Sequence, residues 1–212
     1  MTLPADGGAP SGMTTSKTFE RFAGTCALVV GIGGLAYSLA FVLALRTGSR
    51  TAVTSAALFL LLGGLLTTPV MVALHQRLRA VDEGFAGWGL LLGVVGALGS
   101  AVHGGFDLAK IVGPPTLPTE IPNVVDPRGL LTFGVTGVAV LVFASLIRRG
   151  GGLPRGLGWV GAAAGVLLIL VYLGRLLIFD PTNPALFGSA ALLGFVVNPA
   201  WFIWLGATLR RV

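Results

Sequence analysis

The sequence predicts an all-α, polytopic bundle of six transmembrane helices with both termini in the cytoplasm. Three observations predict it. Of 212 residues, 54% are hydrophobic and only 10% charged, against about a quarter charged in a soluble domain. Mean hydropathy is +0.90. The apolar residues also gather into runs of ~20, enough to cross a ~30 Å hydrocarbon layer at ~1.5 Å per residue. The runs are continuous and lack the alternating ~10-residue segments of a membrane β-barrel.

Residues 1–18, MTLPADGGAPSGMTTSKT, are rich in Gly, Pro, Ser and Thr and hold no apolar core. They read as a disordered tail rather than a signal peptide, with Met13 as a second candidate start. Residues 19–212 form the transmembrane domain. Its spans run from Arg21 to Leu45, Thr51 to His75, Gly87 to Val112, Gly129 to Ile147, Gly156 to Phe179 and Ala185 to Thr208. Short connections carry helix-end chemistry: Gly48-Ser49, Asp126-Pro127, Leu153-Pro154 and Asn183-Pro184 precede spans two, four, five and six. Capping side chains and N-terminal prolines start helices, so neighbouring spans should pack antiparallel.

The net charge of +6 and pI near 10.7 do not point to nucleic acid, because the cations sit at the ends of apolar runs. With the N-terminus inside, nine are cytoplasmic: Lys17, Arg21, Arg77, Arg79, Arg148, Arg149, Arg155, Arg210 and Arg211. Five are outside: Arg46, Arg50, Lys110, Arg128 and Arg175. That asymmetry obeys the positive-inside rule and predicts a multi-pass protein of the inner (cytoplasmic) membrane, with the lipid bilayer as its first partner. The hairpins LHQRLRAVDEGFAGWGLLLGVVG and LIRRGGGLPRGLGWVGAAAGVLL place Trp88 and Trp159 at matching positions. They are either interfacial belt tryptophans or the trace of a duplicated hairpin.

Two spans carry a small-residue stripe that turns polar. Gly96, Ser100, His103, Asp107 and Lys110 follow spacings of four, three, four and three in span three, and Gly161, Gly165, Leu168, Tyr172 and Arg175 repeat them in span five. Such spacings share one helix face, and small residues let membrane helices approach closely. His103 falls about nine residues from the end of its span, roughly 12–14 Å deep, with Tyr37 and Tyr172 at similar depth. An ionisable group there costs on the order of 2.5–3.5 kcal/mol unless paired or facing a cavity. Asp107, one turn above, and Arg175 are the expected partners; Asp180 and Lys110 are expected to pair at the rim. The alternative is that the polar residues cap helix ends and snorkel to water.

In span six, Asn198 and Trp201 flank Pro199, which cannot donate to the carbonyl of Phe195 and should kink the helix. Thr67, Thr68 and Pro69 repeat the device in span two. Kinks serve packing, but broken helices also line transporter sites. The outer loop IVGPPTLPTEIPNVVDPR carries five prolines, which makes it either a stiff lid over the bundle or a plain connector, with Glu120 and Asp126 at the rim.

Several chemistries are excluded. His75 and His103 lie in opposite halves of the membrane and Cys26 is the only cysteine, so no metal or haem set and no internal disulfide is expected. There is no GxxxxGK[ST], GxSxG or HExxH, Lys110 is unsuited to a retinal Schiff base, and no cofactor is implied. PVMVALHQRLRAVDEG, LPRGLGWVGAAAGVLL and VNPAWFIWLGATLRR together resemble a bacterial family of six-span membrane proteins classed as a domain of unknown function. The resemblance covers nearly the whole chain and implies the architecture. It transfers no catalytic residue, and the family's acidic residue after the span-six Asn is replaced here by Pro199.

Three functions follow. One is binding or transport of a small lipophilic or amphipathic molecule in an outward-facing pocket between spans three, five and six, built from His103, Asp107, Tyr172, Arg175, Tyr37, Asn198 and Trp201. Another is an accessory or assembly subunit whose glycine faces meet a membrane protein partner or a second copy in a homo-oligomer. A third is a membrane isomerase or cyclase with His103 and Asp107 exchanging protons.

Overall fold

The computed structural model of the protein describes residues 17–113, 127–150, 152–178 and 183–211. All secondary structure in these residues is helical, and six helices are long and apolar enough to cross a membrane. They are α1 (Lys17–Thr47), α2 (Arg50–Leu78), α3 (Glu83–Val112), α4 (Leu130–Arg149, preceded by the turn Pro127–Gly129), α5 (Arg155–Leu177) and α6 (Pro184–Leu209). Ile32, Leu91, Val102 and Leu170 are more than half exposed on the outside. A bundle apolar on its outer surface is made for lipid, and the protein is a multi-pass membrane protein.

The turns form where the sequence has turn chemistry. Gly48 leaves α1 with φ +62°, a conformation that suits a residue without Cβ, and the Ser49 N–H donates to Thr47 Oγ1 at 3.2 Å. Asp82 caps α3 by accepting from the Phe85 N–H at 3.0 Å. Asn183 caps α6 by accepting from the Ala185 N–H at 3.0 Å, with Pro184 in the first turn. Each carboxylate or amide oxygen satisfies a donor that the helix start leaves unpaired.

Consecutive helices are neighbours, and α6 closes against α1, so the six form a ring in chain order. We call the end that holds both termini the terminal end and the opposite one the far end. The terminal half is filled by large side chains: Met71, Leu74, Phe143, Leu146, Leu157 and Trp201 are all fully buried. Gly24 faces Gly206 between α1 and α6, and Gly137 faces Gly165 between α4 and α5, each close enough for a Cβ to strike the opposite backbone.

At the terminal end α1 begins four residues before the expected span, and this brings Glu20 into the bundle. Glu20 is only 3% exposed and accepts from Arg77 twice, at 2.7 Å from Nε and 2.9 Å from Nη2. A two-pronged charged pair of this kind ties α1 to α2, and an acid in the first turn also suits the helix dipole. Trp88 and Trp159 are 47% and 64% exposed near the terminal end, and the Arg148 guanidinium lies 4.6 Å over the Trp159 ring.

The three helices that start at the far end are irregular. Pro69 interrupts α2, where the carbonyl of Leu65 that it leaves free accepts from Thr68 Oγ1 at 2.8 Å. The first turns of α4, Leu130–Val135, and the middle of α6, Leu193–Val197, are π-helical. The wide turn in α6 ends just before Pro199, with the Asn198 N–H bonded to the Leu193 carbonyl. One residue is looped out where the proline ring would otherwise press on the preceding turn.

Candidate functional site

The far half of the ring is not filled. It encloses a cavity of about 350 Å³ with residues of all six helices on its wall. The wall is mostly apolar, from Val30 and Phe41 on α1 to Leu168 on α5 and Phe202 on α6. Its polar groups come from all six helices: Tyr37, Thr67, Ser100, Thr132, Arg175 and Asn198 are among them. An apolar pocket of ~300–1,000 Å³ with a few polar groups is the usual shape of a small-molecule site.

Each polar group is held by its helix. The hydroxyls of Ser38, Thr67 and Ser100 donate back to the carbonyls of Gly34, Gly63 and Gly96 at 2.9, 2.7 and 3.0 Å, and Thr136 Oγ1 reaches the Leu131 carbonyl across the π-helical turn at 3.2 Å. Bonding of this kind satisfies the donor and leaves an oxygen lone pair toward the cavity. Tyr37 sits within electrostatic reach of Arg175 and Asp107 and stacks on Phe41 at 5.9 Å. The Asn198 amide lies 3.5 Å from where a Cβ on Gly34 would stand. Arg175, in the last turn of α5, has no carboxylate or hydrogen-bond partner among the described residues.

The residues expected to form one cluster divide into two groups. Tyr37, Arg175 and Asn198 line the cavity. His103 and Asp107 belong to a chain of contacts between α3 and α4: His103 Nε2 is 3.7 Å from Asp107 Oδ2, and Asp107 Oδ1 is 3.7 Å from Arg128 Nη1. The Arg128 guanidinium also lies 4.2 Å over the Phe106 ring, with the Lys110 ammonium at 4.9 Å. Asp107 is therefore paired with Arg128 rather than Arg175. The link to the cavity is Thr132, a wall residue whose Oγ1 is 3.3 Å from His103 Nδ1.

Tyr172 lies over Gly134. Trp201 is fully buried in the terminal half against Gly161 and Phe202, its indole N–H without a hydrogen-bond partner among the described residues. Glu120, Asp126, Asp180, the proline-rich loop and the N-terminal tail lie outside the described residues. Among the described residues no group of His, Cys, Asp and Glu is placed to hold a metal ion.

Compared with known proteins, the chain matches no family model, no curated protein and no solved structure.

Most of the cavity wall carries no ionisable signal. Ser38 and Thr132 are buried hydroxyls that read in the sequence as ordinary small residues of apolar runs. Ser100, on the small-to-polar stripe of span three, and Thr67, beside Pro69, stand out in the sequence. The glycine stripes are spent inside the chain: Gly96 and Gly99 face α4, Gly64 and Gly104 join α2 to α3, and Gly161 faces α6.

Proposed function

We propose that the protein binds a small amphipathic molecule in the cavity of its far half, polar end toward Arg175, Tyr37 and Asn198 and apolar end against the aliphatic wall. The observation that carries this reading is Arg175. A cation in a spanning helix costs on the order of 2.5–3.5 kcal/mol unless it meets water, an anion or a paired acid. Arg175 is exposed in the last turn of α5, near the far end, and lines the cavity with no acid beside it among the described residues, so an anionic group entering the cavity would meet it.

The positive-inside count puts the terminal end in the cytoplasm of an inner membrane, so the cavity belongs to the outer leaflet. Its wall is drawn from all six helices rather than from spans three, five and six alone. Binding is favoured over transport because the terminal half is filled by large buried side chains. It is favoured over acid-base catalysis because Asp107 is engaged by Arg128 and His103 stands behind Thr132. It is favoured over a scaffold role because the glycine faces are used within the chain.

The test is mass spectrometry of the small molecules that co-purify with the full chain after mild extraction. Wild type should retain one chemical species near stoichiometry. Ser100→Leu, which fills the cavity, should lose it while unfolding at or above the wild-type temperature. Extracts that are identical in wild type, Ser100→Leu and Arg175→Ala would refute the proposal.

A further inference from the structure

Among the described residues that line the cavity stand one arginine and no aspartate or glutamate. The neutral polar groups nearest in character to Arg175, the Tyr37 hydroxyl and the Asn198 amide, are both able to donate. A guanidinium on a wall whose other described polar groups are neutral selects an anion, and a planar oxyanion can take two parallel N–H bonds from it.

The same cavity has a side door. α1 packs along Asn198–Leu209 of α6, touches Leu193–Val197 and has all but parted from Pro184–Leu192, which leans on α5 instead. The last close approach is Ser38 against Gly194, where a Cβ on the glycine would overlap the serine hydroxyl. The π-helical turn and Pro199 lie at this point of α6 and redirect its first half away from α1. Above it, the cavity is bordered by Phe41 and Leu45 on one side and Phe187 and Ala190 on the other. All four are exposed and three are large and apolar. They stand in spanning helices, so what they meet is lipid.

From these observations we infer that the occupant is a single-chain amphiphile with an anionic head, taken laterally from the far leaflet between α1 and α6 and held by its head on Arg175. The inference rests on the binding site proposed above. The head class follows from a cation with no acid beside it among the described residues, and the single chain from a cavity of about 350 Å³, near the lower end of small-molecule sites. The lateral route follows from the apolar jambs. A soluble anion would not need them, and a neutral lipid would not need Arg175.

The experiment measures binding of dodecanoate, dodecan-1-ol and acetate to the full chain in lipid nanodiscs, with exchange rates for the bound probe. Wild type should bind dodecanoate at least tenfold more tightly than dodecanol and should ignore acetate at the same concentration. Arg175→Gln should bring the ratio near one, chiefly by weakening dodecanoate, and Arg175→Lys should restore part of it. Ala190→Trp should slow both association and release of dodecanoate about tenfold with little change in affinity. Equal binding of dodecanoate and dodecanol in wild type would overturn the anionic head, acetate competing as well as dodecanoate would overturn the amphiphile, and unchanged exchange in Ala190→Trp would overturn the lateral route. No saturable binding of any probe would instead remove the site itself.

Discussion

Gly63 and Gly64 are adjacent on α2 and face opposite surroundings, so the same substitution should have opposite effects at the two positions. A Cβ on Gly64 would lie 2.5 Å from both the Ala97 carbonyl oxygen and the Ala101 nitrogen, backbone atoms of α3 that cannot turn aside. Moving that contact from 2.5 to an ordinary 3.4 Å opens the α2–α3 seam locally by about 0.9 Å. A gap of that size forfeits up to about half of each ~0.1–0.2 kcal/mol dispersion contact, and a few dozen contacts are involved, so the loss is about 2–3 kcal/mol. Measured costs of overpacking run to about 1–3 kcal/mol. Replacing glycine within a helix returns about 1 kcal/mol, leaving Gly64→Ala destabilised by about 1–2 kcal/mol. A Cβ on Gly63 meets nothing within 4 Å, so Gly63→Ala keeps the propensity gain alone and should be stabilised by up to about 1 kcal/mol. The assay is reversible unfolding of the full chain in mixed micelles of rising SDS fraction, followed by circular dichroism. Shifts of the same sign in both variants, or a Gly64→Ala shift within about 0.5 kcal/mol of zero, would refute the seam geometry.

Two further perturbations test other parts of the frame. Glu20→Ala leaves the Arg77 guanidinium, whose side chain is 23% exposed, without its acid; partial rehydration should hold the loss to about 2–3 kcal/mol, below that for a fully buried pair. Adding Arg77→Met should recover part of that loss in the same unfolding assay, and strictly additive losses would show that the pair is not coupled. Asp82→Ala removes the cap of α3 and should cost about 1 kcal/mol, with Asp82→Asn close to wild type; equal losses in both variants would mean that charge rather than capping is what Asp82 supplies.

The six helices were legible because membrane spans announce themselves by length and hydropathy, and the Asn183 cap and the Gly48 turn fall where turn chemistry predicts. What was not legible has physical reasons. Glu20 sits one residue before the apolar run that was read as span one, and a charge next to an apolar run looks like a solvated flank. Only the partner on α2, 57 positions away, makes it an internal pair. Asp107 and Arg175 are expected in one cluster with His103 because both lie on stripes of the same spacing, whereas stripe position fixes a face and not the neighbour that the face meets. Arg128, just after the proline-rich loop, was taken as a flanking cation. The hydroxyls of the cavity wall carry no charge and no period that separates them from packing residues.

The location of the cavity follows from which helices are regular. α1, α3 and α5 reach the far end as unbroken α-helices, while α2, α4 and α6 each depart from that form near the cavity, through Pro69, the π-helical turn at Leu130–Val135 and the π-helical turn at Leu193–Val197. A looped-out or proline-interrupted turn widens the helix and spoils its fit to a neighbour. A bundle selected only for packing would place such turns where they cancel one another. Here the turn of α4 lies at the far end, that of α6 at mid-helix, and Pro69 two residues beyond Thr67 of the cavity wall, so the irregular turns border the cavity down to the core closed by Trp201 and Phe143. Two of the three regular helices bring Tyr37 and Arg175 to the cavity, so the fixed members position the polar groups and the irregular ones leave the room beside them.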